Sequence, residues 1–215
     1  MTTIIKSYLR KTPLYRVIIL LRLFRGFVRW RDDAYAAPSP YFVKAEVLLR
    51  NSLPNASWVE TGTYLGDTTA LLSKHGQFVY SIEPEPSLYT KAIERFQSSP
   101  NIKIVKGLSE EVFPNLLPKL SGNFNFWLDG HYSSGVTHKG PKDTPILDEL
   151  ASIALHMKNF TNISVMIDDI RCFNPTISEF STYPQLKQIV DWAEENKLVW
   201  HIEHDIFIAR SMNSV

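Results

Sequence analysis

Five acidic side chains stand at or just past the ends of short apolar runs. Glu60 follows Trp58-Val59, Glu83 follows Ser81-Ile82, Asp129 follows Phe124 to Leu128, and Asp168 and Asp169 follow Ile163 to Ile167. Glu60 opens the stretch Glu60-Thr61-Gly62-Thr63-Tyr64-Leu65-Gly66-Asp67-Thr68. There Gly62 and Gly66 allow a sharp turn and a close approach to a ligand, and Asp67 or Thr68 is placed to cap a following helix. A plain glycine turn between strand and helix is the simpler reading of the same residues. A pyrophosphate cradle of the G-x-G-x-x-G type needs a second glycine two positions after the first, and Tyr64 stands there, which weakens a dinucleotide reading.

Glu83, followed by Pro84, lies 23 positions after Glu60. A carboxylate at the tip of a second strand can accept both hydroxyls of a ribose. The next run ends in Lys106-Gly107-Leu108-Ser109, where Gly107 lets the chain come close and Leu108 can pack on a purine ring. Two acids at successive strand tips around a glycine turn suit a cationic nucleoside without phosphate. S-adenosylmethionine is such a ligand.

Asp129, Asp168 and Asp169 suggest a second kind of chemistry. Neighbouring parallel strands lie about 4.8 Å apart, so three carboxylates at their ends meet in one place. Like charges so close require protonation or a cation, and oxygen-only ligands favour Mg2+ or Ca2+ over zinc. Such an ion would lower the pKa of an acceptor hydroxyl and align it. The competing reading has Asp129 holding a ligand ammonium while Asp168 or Asp169 caps a loop or pairs with Arg171. His131, two positions past Asp129, is expected as a general base toward a hydroxyl, or as a surface group. The long polar loop from Ser133 to Pro145 reads as a substrate loop, with Lys139 and Lys142 either facing an acceptor or solvated, and Asp143 or Thr144 capping the next helix. Lys44 is expected either on a ligand carboxylate or at the surface, and His138, His201 and His204 are expected to be structural.

The elements that must hold these residues alternate. Apolar strand-like runs at Trp58-Val59, Phe78 to Ile82, Ile102 to Val105, Phe124 to Leu128 and Ile163 to Ile167 are each followed by a helical pattern, at Thr68 to His75, Ser87 to Gln97, Glu110 to Leu120, Pro145 to Met157 and Pro184 to Glu195. Leu198 to Ile202 and Ile206 to Ala209 close the chain. This order predicts a doubly wound, mostly parallel α/β sheet, whose ligands sit at the carboxyl ends of the strands.

Composition narrows the functions. The 215 residues are 44% hydrophobic, enough for a packed core, and the net charge of +1 leaves no global field for nucleic acid. A single cysteine, Cys172, permits no internal disulfide and suits a reducing compartment, so a cytoplasmic location is expected, peripheral to the membrane. Residues 1 to 31 hold eight cations and no acid, with Leu14, Ile18, Leu21, Phe24 and Val28 clustered apart from Lys11, Arg22, Arg25 and Arg29, the pattern of an amphipathic helix. Its uninterrupted apolar run, Val17 to Leu21, falls far short of the ~20 residues that span a bilayer. Such a helix lies on an anionic membrane, on its own domain or on a partner copy. Division at a Pro-rich linker gives an N-terminal segment, 1–51, of basic helix, linker and short helix Tyr41 to Asn51, and a ligand-binding domain, 52–215.

Taken together, Glu60-x-Gly62-x-x-x-Gly66, Glu83 and the Gly107 turn resemble the class I S-adenosylmethionine-dependent methyltransferases over about Ser57 to Arg210. Within that class, Trp127-Leu128-Asp129-Gly130-His131-Tyr132-Ser133 with Ile167-Asp168-Asp169 resembles the macrocin O-methyltransferase group, and more distantly catechol O-methyltransferase. The resemblance implies a seven-stranded Rossmann-like sheet with helices on both faces and Glu60 near the methionine ammonium. It also implies Glu83 on the ribose and O-methylation of a sugar, glycan or other hydroxylated small molecule. Those relatives commonly carry an acid where His131 stands, so metal use and the identity of the base stay open. A silent S-adenosylmethionine-binding module and a nucleotide-dependent oxidoreductase are the alternatives.

Overall fold

The computed structural model describes residues 13–130 and 144–212. The elements follow the expected alternation: α1 (Pro13–Asp32), α2 (Tyr41–Asn51), β1 (Ser57–Thr61), α3 (Asp67–His75), β2 (Val79–Glu83), α4 (Pro86–Phe96) and β3 (Ile102–Lys106). Then come α5 (Ser109–Leu116), β4 (Gly122–Leu128), α6 (Ile146–Leu155), β5 (Phe160–Ile167), α7 (Leu186–Glu195), β6 (Leu198–Glu203) and β7 (Ile206–Ser211). The strands form one seven-stranded sheet in the order β3-β2-β1-β4-β5-β7-β6. All neighbours pair in parallel except β7, which runs antiparallel between β5 and β6. The chain winds outward from β1 to β3 and then crosses back to β4, so its direction reverses between β1 and β4. That reversal opens a crevice at the carboxyl ends of the strands.

The pleat sorts side chains onto two faces. Val59, Ile82, Phe126, Leu128, Val165 and Ile167 face the core that contains Phe113 of α5 and Leu150 and Ile153 of α6. Trp58, Val79, Trp127, Met166 and Ile208 face the other way and bury Val47 and Leu48 of α2 and Leu72 of α3. Each such fully buried apolar side chain contributes about 1.5 to 3 kcal/mol. Helix α2 is thus a covering layer of the sheet. Period-two alternation also puts Glu60, Glu83, Asp129 and Asp168 on this second face, the one that α2 and α3 cover.

Two local expectations are corrected. The N-cap of α3 is Gly66, at φ 80°, and neither Asp67 nor Thr68 caps it; Asp67 is the first helical residue. The strands β1 and β2 extend past the apolar runs Trp58-Val59 and Phe78 to Ile82, so Glu60 and Glu83 are themselves the penultimate and last residues of their strands.

Candidate functional site

The turn after β1 is shaped by three left-handed residues, Gly62 at φ 85°, Tyr64 at φ 49° and Gly66 at φ 80°. A Cβ on Gly62 would lie 2.6 Å from the carbonyl oxygen of Asp129, so only glycine lets the ends of β1 and β4 come this close. A Cβ on Gly66 would meet the Phe96 ring at 2.7 Å. Thr63 is buried with its hydroxyl 2.6 Å from that of Ser81, so its side chain supports the turn from inside. The amide of Tyr64 donates to Glu83 Oε2 at 2.8 Å, and the amide of Glu85 donates to Glu83 Oε1 at 2.9 Å. These two bonds fix the plane of the Glu83 carboxylate at the tip of β2.

Glu60 is fully buried beneath the turn. Its Oε2 accepts from Thr69 at 2.5 Å and from Ser81 at 2.6 Å, whereas Oε1 has no partner among the described residues. Burial pushes the carboxyl up to about 7, against the two hydroxyls, which hold it down. An unpaired buried acceptor costs about 1 to 3 kcal/mol, which a donor within reach of Oε1 would relieve.

Asp129 and Asp168 are the first residues beyond β4 and β5, and the amide of Asp168 donates to the carbonyl of Leu128 at 3.1 Å. Between them and α2 lies a cavity of about 240 Å³ lined by Ser39, Tyr41, Lys44, Thr68, Trp127, Asp129 and Asp168. Lys44, in the second turn of α2, reaches into it: Nζ lies 2.6 Å from Asp168 and 2.9 Å from Asp169. Burial pulls the ammonium's pKa down, but the two carboxylates outweigh it and keep the group charged. Asp169 also accepts from Arg171 at 2.7 Å, and Arg171 bonds Asp205 in turn.

The expected three-carboxylate metal centre does not take form here. Lys44 and Arg171 supply the positive charge that Asp168 and Asp169 require. Among the described residues no group of three His, Cys, Asp or Glu side chains is arranged to hold a metal ion. The oxygen donors have the chemistry for Mg2+, yet an ammonium at hydrogen-bond distance from both carboxylates competes for the same charge, so the residues present do not fit the ion.

The other predicted ligand residues divide. Thr68 faces the cavity, but Asp67 is 70% exposed, pairs with Arg95 at 2.8 Å and is not among the residues that line it. Pro84 follows Glu83 outside the strand, and Gly107, at φ 140°, leads to Leu108 as the N-cap of α5 and to the buried Ser109. Thr144 Oγ1 accepts from the amide of Ile146 at the start of α6. His131, His138, Lys139, Lys142 and Asp143 lie outside the described residues. His201 stands 4.0 Å from Glu203, and the His204 ring packs edge-on against Trp30. Tyr41, which lines the cavity as the first residue of α2, was not singled out among the expected ligand residues. Its only cue was an aromatic ring one helical turn before Lys44. Glu149 of α6 was missed as well. It is buried, its Oε1 has no partner among the described residues, and burial raises it to about 7 against the hydroxyls of Ser109 and Thr61.

No protein-family model and no curated protein matches the sequence. The fold has clear counterparts. A protein from Staphylococcus aureus assigned as a caffeoyl-CoA O-methyltransferase superposes with a TM-score of 0.53 at 11% identity, covering 91% of this chain and 98% of its own. The N-methyltransferase NodS from Bradyrhizobium japonicum gives a TM-score of 0.52 at 14% identity, over 78% of this chain and 92% of its own. The fold is that of the class I methyltransferases. The glycine turn after β1, the Glu83 carboxylate and Asp129 stand at the carboxyl ends of the neighbouring strands β1, β2 and β4, beside the sheet's reversal point.

Proposed function

We propose that the protein is an S-adenosylmethionine-dependent O-methyltransferase acting on a sugar, glycan or other hydroxylated small molecule. The observation that carries this reading is the Glu83 carboxylate, oriented by two backbone amides at the tip of β2 and adjoining a glycine turn. The unpaired Oε1 of the buried Glu60, under the same turn, supports it. Glu83 would hold the ribose hydroxyls, Gly62 and Gly66 would let the backbone approach, and Leu108 would pack beside the adenine. When bound, the donor supplies a methyl group on a sulfonium, whose thioether leaves as a neutral species. The acceptor oxygen forms the new C–O bond while the C–S bond breaks, and the acceptor's proton must pass to the protein.

Asp129, on the cavity, and His131, two residues beyond it, are the groups placed in sequence to receive that proton. In the proposal Lys44 takes the part first expected of Mg2+. Its ammonium would keep Asp168 and Asp169 in place and present positive charge to an acceptor oxygen, with no step through a metal ion. Calorimetric titration with S-adenosylhomocysteine tests the donor site, and methyl transfer to a panel of hydroxylated acceptors in the presence of a chelator tests the rest.

A further inference from the structure

We infer that α1 docks the protein on an anionic membrane surface. Along this helix Val17, Ile18, Leu20, Leu21, Leu23, Phe24 and Phe27 are all exposed, with Phe24 at 65% and Leu20 at 63%. At 100° per residue, Leu23, Phe27, Leu20, Phe24, Val17 and Leu21 fall in one arc about 160° wide, interrupted by Arg31 in the last turn, and Arg25, Arg29 and Arg22 fill the adjoining sector together with Ile18. An apolar stripe beside arginines is the arrangement of a helix lying in the plane of a headgroup layer, its apolar side chains in the acyl boundary and its guanidinium groups on lipid phosphates. No helix among the described residues is long and apolar enough to cross a membrane.

Charge distribution selects this occupant over a second copy. Residues 1 to 31 hold eight cations and no acid, whereas the remaining 184 residues hold fifteen cations and twenty-two acids. The chain therefore has a basic end and an acidic body, and an anionic surface attracts the first while repelling the second. A two-fold dimer through α1 would instead bring the same arginines of both copies together. The helix is also tied to the body at its far end. Trp30 is buried, its indole donates to the carbonyl of Ala36 at 2.9 Å, and its ring packs against His204. Ser39, which lines the Asp129 cavity, contacts the carbonyl of His204. A docked α1 thus holds the cavity wall a few residues from the lipid.

The test is co-flotation of the full chain with vesicles of phosphatidylcholine alone or with about 30% phosphatidylserine. The expected result is binding only to the anionic vesicles, reversed by high salt. Partition should fall about a hundredfold when Arg22, Arg25 and Arg29 are all changed to Gln. A Leu20→Ser, Phe24→Ser variant should also lose binding, while thermal unfolding shows both variants folded. Failure of the parent to float overturns the proposal. So does equal flotation of parent and variants, or self-association in the ultracentrifuge that Phe24→Ser abolishes without any vesicle binding. None of these outcomes depends on whether the protein transfers methyl groups.

Discussion

The ammonium of Lys44 lies 2.6 Å from the carboxylate of Asp168, across 124 positions of sequence, at the wall of the cavity that Asp129 also lines. The side chains are 16% and 4% exposed, so the pair is shielded from water and removal of either partner strands a charge. Lys44→Met should therefore destabilise the fold by about 3 kcal/mol in urea unfolding. A change below about 0.5 kcal/mol would mean that the pair is solvated.

The same contact makes a prediction about metal. With Lys44 in place, Mn2+ should give no binding signal by electron paramagnetic resonance, and a chelator should leave methyl transfer unchanged. Lys44→Ala should leave Asp168 without its ammonium partner and create a measurable Mn2+ site. Tight Mn2+ binding by the parent would show that the ion displaces the ammonium.

Gly62 combines a φ of 85° with a Cβ position 2.6 Å from the carbonyl oxygen of Asp129. Backbone strain and the forced separation of β1 from β4 should make Gly62→Ala cost about 2 to 4 kcal/mol. Gly26, within α1, has nothing within 4 Å of its Cβ position, so Gly26→Ala should stabilise by about 0.5 to 1 kcal/mol. Denaturant curves of the two variants should move in opposite directions.

Glu149 titrates near 4.5 when unfolded and at about 7 when folded, because burial penalises its charge. Between those values the folded state binds more protons than the unfolded state. Stability should fall as pH rises from about 4.5 to about 7, and level off above that range. Glu60 contributes in the same direction. Glu149→Gln should remove about 3 kcal/mol of this dependence, so the variant gains on the parent between pH 5 and pH 8. A difference between the two that stays constant with pH would place the Glu149 carboxyl in contact with water.

The alternation of apolar runs with helical periods made the sheet readable, because strands buried on both faces leave short runs of Val, Ile, Phe and Trp that few other arrangements explain. Glu60, Glu83, Asp129 and Asp168 were visible as acids at strand ends, but the pleat that turns all four toward α2 follows from register and not from spacing. Gly66 as the helix cap was hidden behind Asp67 and Thr68, which are better capping residues by type, since a left-handed glycine fills that place through φ alone. The pairing of Lys44 with Asp168 and Asp169 had no local signal. A salt bridge over 124 positions exists only once α2 lies across the sheet.

The Glu83 carboxylate, held by the amides of Tyr64 and Glu85, is the proposed ribose contact of an S-adenosylmethionine site. Isothermal titration of the full chain with S-adenosylhomocysteine, repeated with Glu83→Ala at the same pH and salt, tests it most directly. One site is expected in the parent, with binding weaker by about 1 to 3 kcal/mol in the variant, the scale of hydrogen bonds to a charged group. No heat of binding in the parent, or the same affinity in a folded Glu83→Ala protein, would contradict it.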